Sequence, residues 1–342
     1  MVKKHREYYA AANGYSGFRS YFDEIFDKNK LKGLFILKGG PGTGKSTFMR
    51  RFLNTYLDKD FPCDAVYCSS DPKSLDGVII NSSVAILDGT APHEVDTKLP
   101  GALDEIVNLG ESWNSEKLKK RRSQIEEINK IKKQNFNSAY KYLAFSGNVH
   151  DFKIERLKKT FSFESAEKAI SKLGVKYQKN RFENKKILIS SFSKYGYKRR
   201  DLSGFDIRNF YSVNGNFGEE EILLDLLKST YGENSFTIFP SPFCDNITEG
   251  IYFEKENTVF LANGSCGEKI DAFECLKEKE DAEIDFLNKI ERCYLDKSKE
   301  FFEAASSAHF MLEDIYKDSM NFDNNEEIYQ KVNAKVMKIL SD

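Results

Sequence analysis

Eight consecutive residues near the amino terminus combine glycines, a lysine and hydroxyl side chains at a spacing that suits a polyphosphate. In order they are Gly39, Gly40, Pro41, Gly42, Thr43, Gly44, Lys45 and Ser46, which satisfy the pattern G-x-x-x-x-G-K-[ST] in full. Glycines allow the backbone torsions that turn several N–H groups inward, and they keep side chains off the floor of such a loop. An ammonium group beside the loop can reach the β- and γ-phosphates. We therefore predict a P-loop that binds a nucleoside triphosphate.

The residues at the end of this loop predict a magnesium ligand and an anion-binding helix terminus. Ser46 supplies a hydroxyl that can ligate Mg²⁺, and Thr47 can donate a hydrogen bond to the α-phosphate. Apolar residues recur at helical spacing after Lys45, so the helix would direct its first N–H groups and its positive dipole end at the phosphates. A glycine turn that only caps a helix would not explain a lysine followed by two hydroxyls.

An acidic residue follows the apolar run at residues 84–87. In P-loop proteins an Asp at the end of such a strand binds Mg²⁺ directly or through water. The competing interpretation is an ordinary Asp-Gly turn, which many strands use. Because the phosphate loop lies upstream in the same unit, we favour Asp88 as a second ligand of Mg²⁺.

Two more polar residues are candidates at the same sheet edge, where the carboxyl ends of parallel strands line the ligand crevice. Asp71 follows a predicted strand and could position water or a second substrate, or else stabilise a Ser-Asp-Pro turn. His93 could contact the γ-phosphate or orient a base, although a lone histidine is more often structural. The candidate catalytic residues are therefore Lys45, Asp88, Asp71 and His93.

The elements that must position these residues can be predicted from hydrophobic patterns. The apolar run at residues 31–37 predicts a buried strand, and residues 45–57 show the 3.6-residue period of a helix. Further short apolar runs at 65–68 and 83–87 predict two more strands. This order predicts an α/β fold of the P-loop type, with a parallel sheet and helices on both faces. Residues 18–26 also carry apolar groups at helical spacing.

The second half of the chain repeats the first weakly but in order, which indicates a duplication. The matching segments are 35–42 with 211–218, 47–56 with 222–231, 76–78 with 249–251, and 84–90 with 259–265. We predict a P-loop domain at residues 1–182, with a helical extension at about 116–180, and a related domain at 183–342. Gly147 reads as a break in that extension, which predicts a helical hairpin beside the sheet.

The second copy lacks the chemistry of the first. Glu219, Glu220 and Glu221 stand near the positions of the lysine and the hydroxyls, and three carboxylates would repel a triphosphate. Asn263 or its neighbour replaces the acidic strand end. We therefore predict a degenerate copy that retains the fold and has lost its nucleotide site.

Composition limits the partners of the chain. It has 342 residues with a formal net charge of -1, so its overall charge gives no reason to bind nucleic acid or an anionic membrane. A basic run at residues 117–133 is interleaved with glutamates and predicts a solvated helix face; a lid over the phosphates or a small nucleic-acid patch is the alternative. No pair among the six cysteines forms a CxxC, so we expect neither zinc nor disulfides. Without a signal peptide or a membrane span, we expect a cytoplasmic protein with no membrane partner.

The runs at residues 70–78, 87–93, 99–102 and 108–110 resemble a poorly characterised family of bacterial ATPase-like proteins with tandem P-loop domains. The resemblance covers most of residues 8–115, and it implies binding of ATP and a two-domain layout. Members of that family usually keep a second P-loop, which this chain lacks.

These observations lead to an ATP-binding P-loop protein, with ATP and Mg²⁺ as ligands, that hydrolyses ATP at one competent site. One alternative is a kinase that transfers the γ-phosphate to a small metabolite or nucleotide. The other is a non-hydrolysing ATP sensor whose state is read by a protein partner. A nucleic-acid motor is disfavoured by the charge balance.

Overall fold

The chain contains two α/β halves whose elements follow the same order. The computed structural model describes residues 5–173, 185–232 and 235–341. The first half contains β1 (His5–Tyr9), β2 (Ala11–Gly14), β3 (Gly17–Ser20), α1 (Phe22–Ile25), β4 (Gly33–Lys38), α2 (Lys45–Asp58), β5 (Cys63–Tyr67), β6 (Leu75–Ile80), β7 (Val84–Asp88), β8 (Asp104–Asn108), a 3-10 turn (Leu109–Ser112), α3 (Ser115–Lys120), α4 (Arg122–Thr160) and α5 (Phe163–Lys172). The second half contains β9 (Lys185–Lys186), β10 (Ser190–Ser193), β11 (Gly196–Arg199), β12 (Asn209–Asn214), α6 (Glu219–Thr230), β13 (Thr237–Pro240), β14 (Thr248–Phe253), β15 (Thr258–Ala262), β16 (Glu268–Asp271), a 3-10 turn (Ala272–Cys275), α7 (Ala282–Lys317) and α8 (Phe322–Ser341).

Each half has one six-stranded sheet, and the two sheets have the same topology. The first has the order β1-β5-β6-β7-β4-β8 and the second the order β9-β13-β14-β15-β12-β16. Corresponding pairs also run in the same direction; for example, β4 is parallel to β7, and β12 is parallel to β15. The predicted duplication of the fold is confirmed.

The prediction of a parallel sheet is confirmed only in part, because both sheets are mixed. Strand β6 runs antiparallel to β5 and to β7. The connections on either side of β6 are residues 68–74 and 81–83, and both are too short for the crossover that a parallel pair needs. Positive φ angles at Asn81 and Ser82 form the tight turn into β7.

Strand β4 and helix α2 match the sequence prediction closely. Strand β4 is apolar and buried through Leu37. Helix α2 buries one face made of residues at helical spacing, which are Phe48, Met49, Phe52, Leu53 and Tyr56. The predicted helix at 18–26 was wrong for its first half: Gly17–Ser20 is a strand, and only Phe22–Ile25 is helical. Pairing with β2 around a turn at Gly17, where φ is +105°, outweighs the local helical spacing.

The longest helices, α4 and α7, pack against each other along their length. The predicted break at Gly147 was wrong, because α4 continues through it. The glycine allows close packing instead: a Cβ atom there would lie 2.6 Å from the ring of Tyr15. The hairpin partner of α4 is therefore a helix from the other half. No helix in the described ranges is long and apolar enough to cross a membrane.

The two halves exchange their last helices. Helix α8 packs on α2 of the first half, where the ring of Tyr329 lies 4.5 Å from that of Phe52. Helix α5 packs on α6 of the second half. Equivalent backbone hydrogen bonds fix the two corners: the Asn321 N–H donates to Ser112 at 2.8 Å, and the Ser162 N–H donates to Cys275 at 2.7 Å. The predicted domain boundary at 182/183 lies outside the described residues.

Candidate functional site

The loop between β4 and α2 presents a row of free amides. Gly42 and Gly44 have φ angles of +70° and +87°, which side chains rarely allow. At Gly39 a Cβ atom would lie 2.7 Å from the hydroxyl of Thr43. Within the described ranges, the backbone amides of residues 42–47 have no hydrogen-bond acceptor. A loop with this many unused donors at a helix N-terminus is suited to an anion.

Lys45 lies across this loop. Its ammonium donates hydrogen bonds to the carbonyls of Gly39, at 2.7 Å, and Gly40, at 2.9 Å. The same group lies 3.7 Å from Oδ2 of Asp88. The side chain of Lys45 is only 11% exposed, so water screens the interaction of its charge with nearby groups less than it would at the surface.

Asp88 and Ser46 both lie at the carboxyl edge of the sheet, as predicted, but both already have partners. Oδ1 of Asp88 accepts hydrogen bonds from the amide and the hydroxyl of Thr90, at 3.0 Å and 2.6 Å. The hydroxyl oxygen of Ser46 accepts a hydrogen bond from the Leu75 amide at 2.9 Å. The other carboxylate oxygen of Asp88, Oδ2, is the one that lies near the ammonium of Lys45.

His93 joins Asp88 in a cluster with a third residue, Asp76, that the sequence interpretation missed. Donor atoms of the three side chains lie within 4.8 Å of one another. Asp76 is buried in β6, and burial raises its pKa to about 6, with a further contribution from Asp88. Asp76 is the extra residue of a β-bulge between β5 and β6. The available signal was a single acid inside the otherwise apolar run of β6.

A divalent cation fits the chemistry of this cluster. Asp76 and Asp88 are oxygen ligands of the kind that Mg²⁺ binds, and buried carboxylates side by side need a positive charge to offset their repulsion. In the described structure Lys45 supplies part of that charge.

Asp71 does not join the cluster. Its carboxylate accepts hydrogen bonds from the amide of Lys73, at 3.3 Å, and from the hydroxyl of Ser74, at 3.1 Å. Both partners belong to the turn that connects β5 to β6. The geometry agrees with the interpretation of Asp71 as a turn-forming residue.

The corner between α7 and α8 packs against the loop from the second half of the chain. The ring of Tyr316 and the indole of Trp113 lie beside Gly40. The side-chain amide of Asn325 donates to the carbonyl of Thr43 at 3.1 Å, and Oδ1 of Asn325 accepts from Ser112. One wall of the site therefore belongs to the other half.

The equivalent loop of the second half has no comparable row of free donors. It has four residues, 215–218, where the first has six, 39–44. The buried carboxylate of Glu219 accepts hydrogen bonds from the amides of Asn216, at 2.7 Å, and Phe217, at 2.9 Å. Burial and Glu221 raise the pKa of the neighbouring Glu220 to about 7. The carboxylate of Glu219 therefore binds two amides of this loop.

Ladder register identifies the counterparts of the two acids. Leu37 pairs with Asp88 in the first sheet and Val213 with Ala262 in the second, so an alanine stands at the acidic strand end. The bulge of β14 places Glu249 where β6 has Asp76.

Comparisons of the chain with protein-family models, with curated proteins and with solved structures gave no match. The site is therefore interpreted from its own chemistry.

Proposed function

We propose that the first half of this protein binds ATP with Mg²⁺ and hydrolyses it, and that the second half has no nucleotide site. The observation that carries the proposal is the row of free amides at residues 42–47, next to the ammonium of Lys45. A triphosphate carries several negative charges, and inward-facing amides with one lysine are what its binding requires. In the second loop, the amides of Asn216 and Phe217 are already bonded to Glu219.

The roles of the residues follow from their positions. The amides of residues 42–47 would bind the phosphate oxygens, and Lys45 would move from the carbonyls of Gly39 and Gly40 to the β- and γ-phosphates. Ser46 and Asp88 would hold Mg²⁺, which offsets the charge of the phosphates. Phosphoryl transfer depends mainly on such positioning and charge neutralisation. His93 and Asp76, which lie beside Asp88, are the groups closest to the water that attacks the γ-phosphate in this proposal.

One observation favours a second candidate, an ATP sensor with negligible turnover. The α7–α8 corner touches the loop through Tyr316 and Asn325, so a change at the loop would reach helices that belong to the other half. A partner could then recognise the position of those helices. Tight binding of ATP with slow single-turnover hydrolysis distinguishes this candidate from an ATPase, and turnover that requires an added acceptor would indicate a kinase.

The test compares Lys45→Ala with wild type for binding and turnover of ATP. Lys59→Ala is the matched control, because Lys59 is exposed at the other end of the same helix. Calorimetry with Mg²⁺·ATP measures affinity, and release of inorganic phosphate measures turnover. We expect Lys45→Ala to weaken binding by at least about tenfold, the scale of a lost charge-assisted contact, and Lys59→Ala to match wild type. Equal affinity for ATP in all three proteins would refute the proposal.

A further inference from the structure

The cluster of Asp76, Asp88 and His93 has a donor set that Mg²⁺ does not require. Two carboxylate oxygens and an imidazole nitrogen lie within 4.8 Å of one another. A metal–ligand bond of about 2.1 Å places donors on opposite sides of an ion about 4.2 Å apart, so small side-chain movements would bring all three onto one ion.

His93 is the observation that points to a ligand. His93 is only 9% exposed, yet neither of its ring nitrogens has a hydrogen-bond partner among the described residues. Buried polar atoms are normally paired, and leaving one without a partner costs free energy. The ring is fixed by stacking on Phe22, with centroids 4.3 Å apart and an interplanar angle of 17°. An imidazole held this way, with a nitrogen beside two carboxylates, is prepared to bind a cation.

The second half does not reproduce this cluster. Ala262 replaces Asp88, and Glu249 replaces Asp76 but is paired with the guanidinium of Arg199 at 2.7 Å. His93 lies in the connection between β7 and β8, residues 89–103. The equivalent connection of the second half, between β15 and β16, has only residues 263–267. The half in which Glu219 binds two loop amides thus lacks two of the three donors and holds the third in an ion pair, which is expected if the donors act together with the loop.

We propose that Asp76, Asp88 and His93 form a binding site for a divalent transition-metal ion, which the protein binds with or without a nucleotide. Mg²⁺ prefers oxygen ligands, whereas an imidazole nitrogen shifts preference towards Mn²⁺, Fe²⁺, Co²⁺ and Zn²⁺. The inference shares Asp76, Asp88 and His93 with the proposed function, but it assigns all three to one metal ion. Metal binding at this site does not require that ATP binds.

Lys45 competes with the metal ion for Asp88 in this arrangement. Its ammonium lies 3.7 Å from Oδ2 of that residue, where it would repel a dication. A triphosphate that draws Lys45 away would free the carboxylate. Nucleotide and metal ion should therefore bind with positive cooperativity.

The test is a titration of the nucleotide-free protein with Co²⁺, followed by calorimetry and by the visible absorption of protein-bound Co²⁺. We expect one Co²⁺ per chain, bound at least about tenfold more tightly than Mg²⁺. His93→Phe should weaken Co²⁺ binding by at least about tenfold, because it removes the nitrogen ligand and keeps the stacking on Phe22. His309→Ala, which removes a half-exposed imidazole, is the control and should bind as wild type does.

Thermal unfolding checks that His93→Phe is folded, and Asp76→Asn provides an independent variant with the same expected loss. Lys45→Ala should tighten Co²⁺ binding by about tenfold while it weakens ATP binding. Absence of Co²⁺ binding to wild type, or equal Co²⁺ affinity in wild type and His93→Phe, would overturn the metal site even if ATP binds normally. Co²⁺ binding without ATP binding would support the metal site and refute the nucleotide proposal.

Discussion

Each half has a loop that joins a buried strand to the following helix. The two loops differ in whether a carboxylate of the protein accepts hydrogen bonds from their amides. In the second loop Glu219 supplies a carboxylate from the first residue of α6. In the first loop the same position of the helix is Lys45, and the amides of residues 42–47 remain without acceptors in the described structure. The difference shows that one α/β scaffold can either bind these amides with a carboxylate of its own or leave them without an acceptor. The predictions below test this comparison.

The largest expected contrast in stability concerns Asp76 and Glu249, the acidic residues at the equivalent β-bulges of the two halves. Glu249 is buried and accepts hydrogen bonds from Arg199 and Ser190, so Glu249→Gln should lower the free energy of unfolding by about 2 kcal/mol because it weakens both hydrogen bonds. Asp76 is buried beside another acid, so Asp76→Asn should raise the free energy of unfolding by about 1 kcal/mol. Urea unfolding at pH 7 measures both values. Changes of the same sign in the two variants would contradict the comparison.

The first helical residue of each half gives the next contrast. Glu219→Ala should lower the free energy of unfolding by about 2 kcal/mol, because the amides of Asn216 and Phe217 lose a charged acceptor. Glu219→Gln keeps one acceptor oxygen and should fall between this variant and wild type. Lys45→Ala should change stability by less than about 1 kcal/mol, because its contacts are to carbonyls that water can reach. Chemical denaturation of the three variants is the measurement.

A buried histidine makes the second half sensitive to pH. His150 bridges Glu221 and Glu291, at 3.0 Å each; burial opposes its charge, but the two hydrogen bonds prevail and raise the pKa of His150 to about 10. Its contribution to stability is complete below its ordinary pKa of 6.5 and is lost as the pH rises towards 10. His150→Gln should therefore cost about 2 kcal/mol at pH 7 and progressively less at higher pH.

The measurement for His150 is the difference in unfolding free energy between wild type and His150→Gln at several pH values from 6.5 to 10. Taking the difference cancels the other titrating groups. A difference that is constant over this range would show that His150 is uncharged in the folded protein.

The smallest effect is expected where the second half touches the loop of the first. Asn325→Ala removes hydrogen bonds to Thr43 and Ser112 and should lower stability by about 1 kcal/mol. Asn324→Ala, at an exposed neighbouring position, should have no measurable effect. If the two variants unfold at the same urea concentration, the α7–α8 corner does not stabilise the loop.

Local patterns predicted the parts of the fold that local chemistry determines. The loop at residues 39–46, the apolar run of β4 and the spacing of Phe48 and Phe52 each specify an element within a few residues. The duplicated order was predictable because four weak matches occur in sequence. What Lys45 and Asp88 do chemically remains a prediction.

The remaining features depend on contacts between distant parts of the chain. The bulge that brings Asp76 to the site is set by the register of β5 against β6, which no local pattern encodes. Weak sequence similarity matched segment 84–90 to 259–265 only to within a residue and placed Asp88 opposite Asn263 or its neighbour, and ladder pairing identified that neighbour, Ala262, as the counterpart. Packing of α8 on the first half joins residues almost 280 positions apart, as between Tyr56 and Asn333 at 277.

The exchange of terminal helices makes the second half necessary for the stability of the first, whether or not the second half binds a ligand. A chain shortened to its first half would lose α8, and the aromatic face of α2 at Phe48 and Phe52 would be exposed to water. If the second half has no nucleotide site, as proposed, the residues of its loop can vary freely, whereas its architecture cannot. Sequence drift should be fast around residues 215–218 and slow along the face of α8 that carries Tyr329, Val332 and Val336.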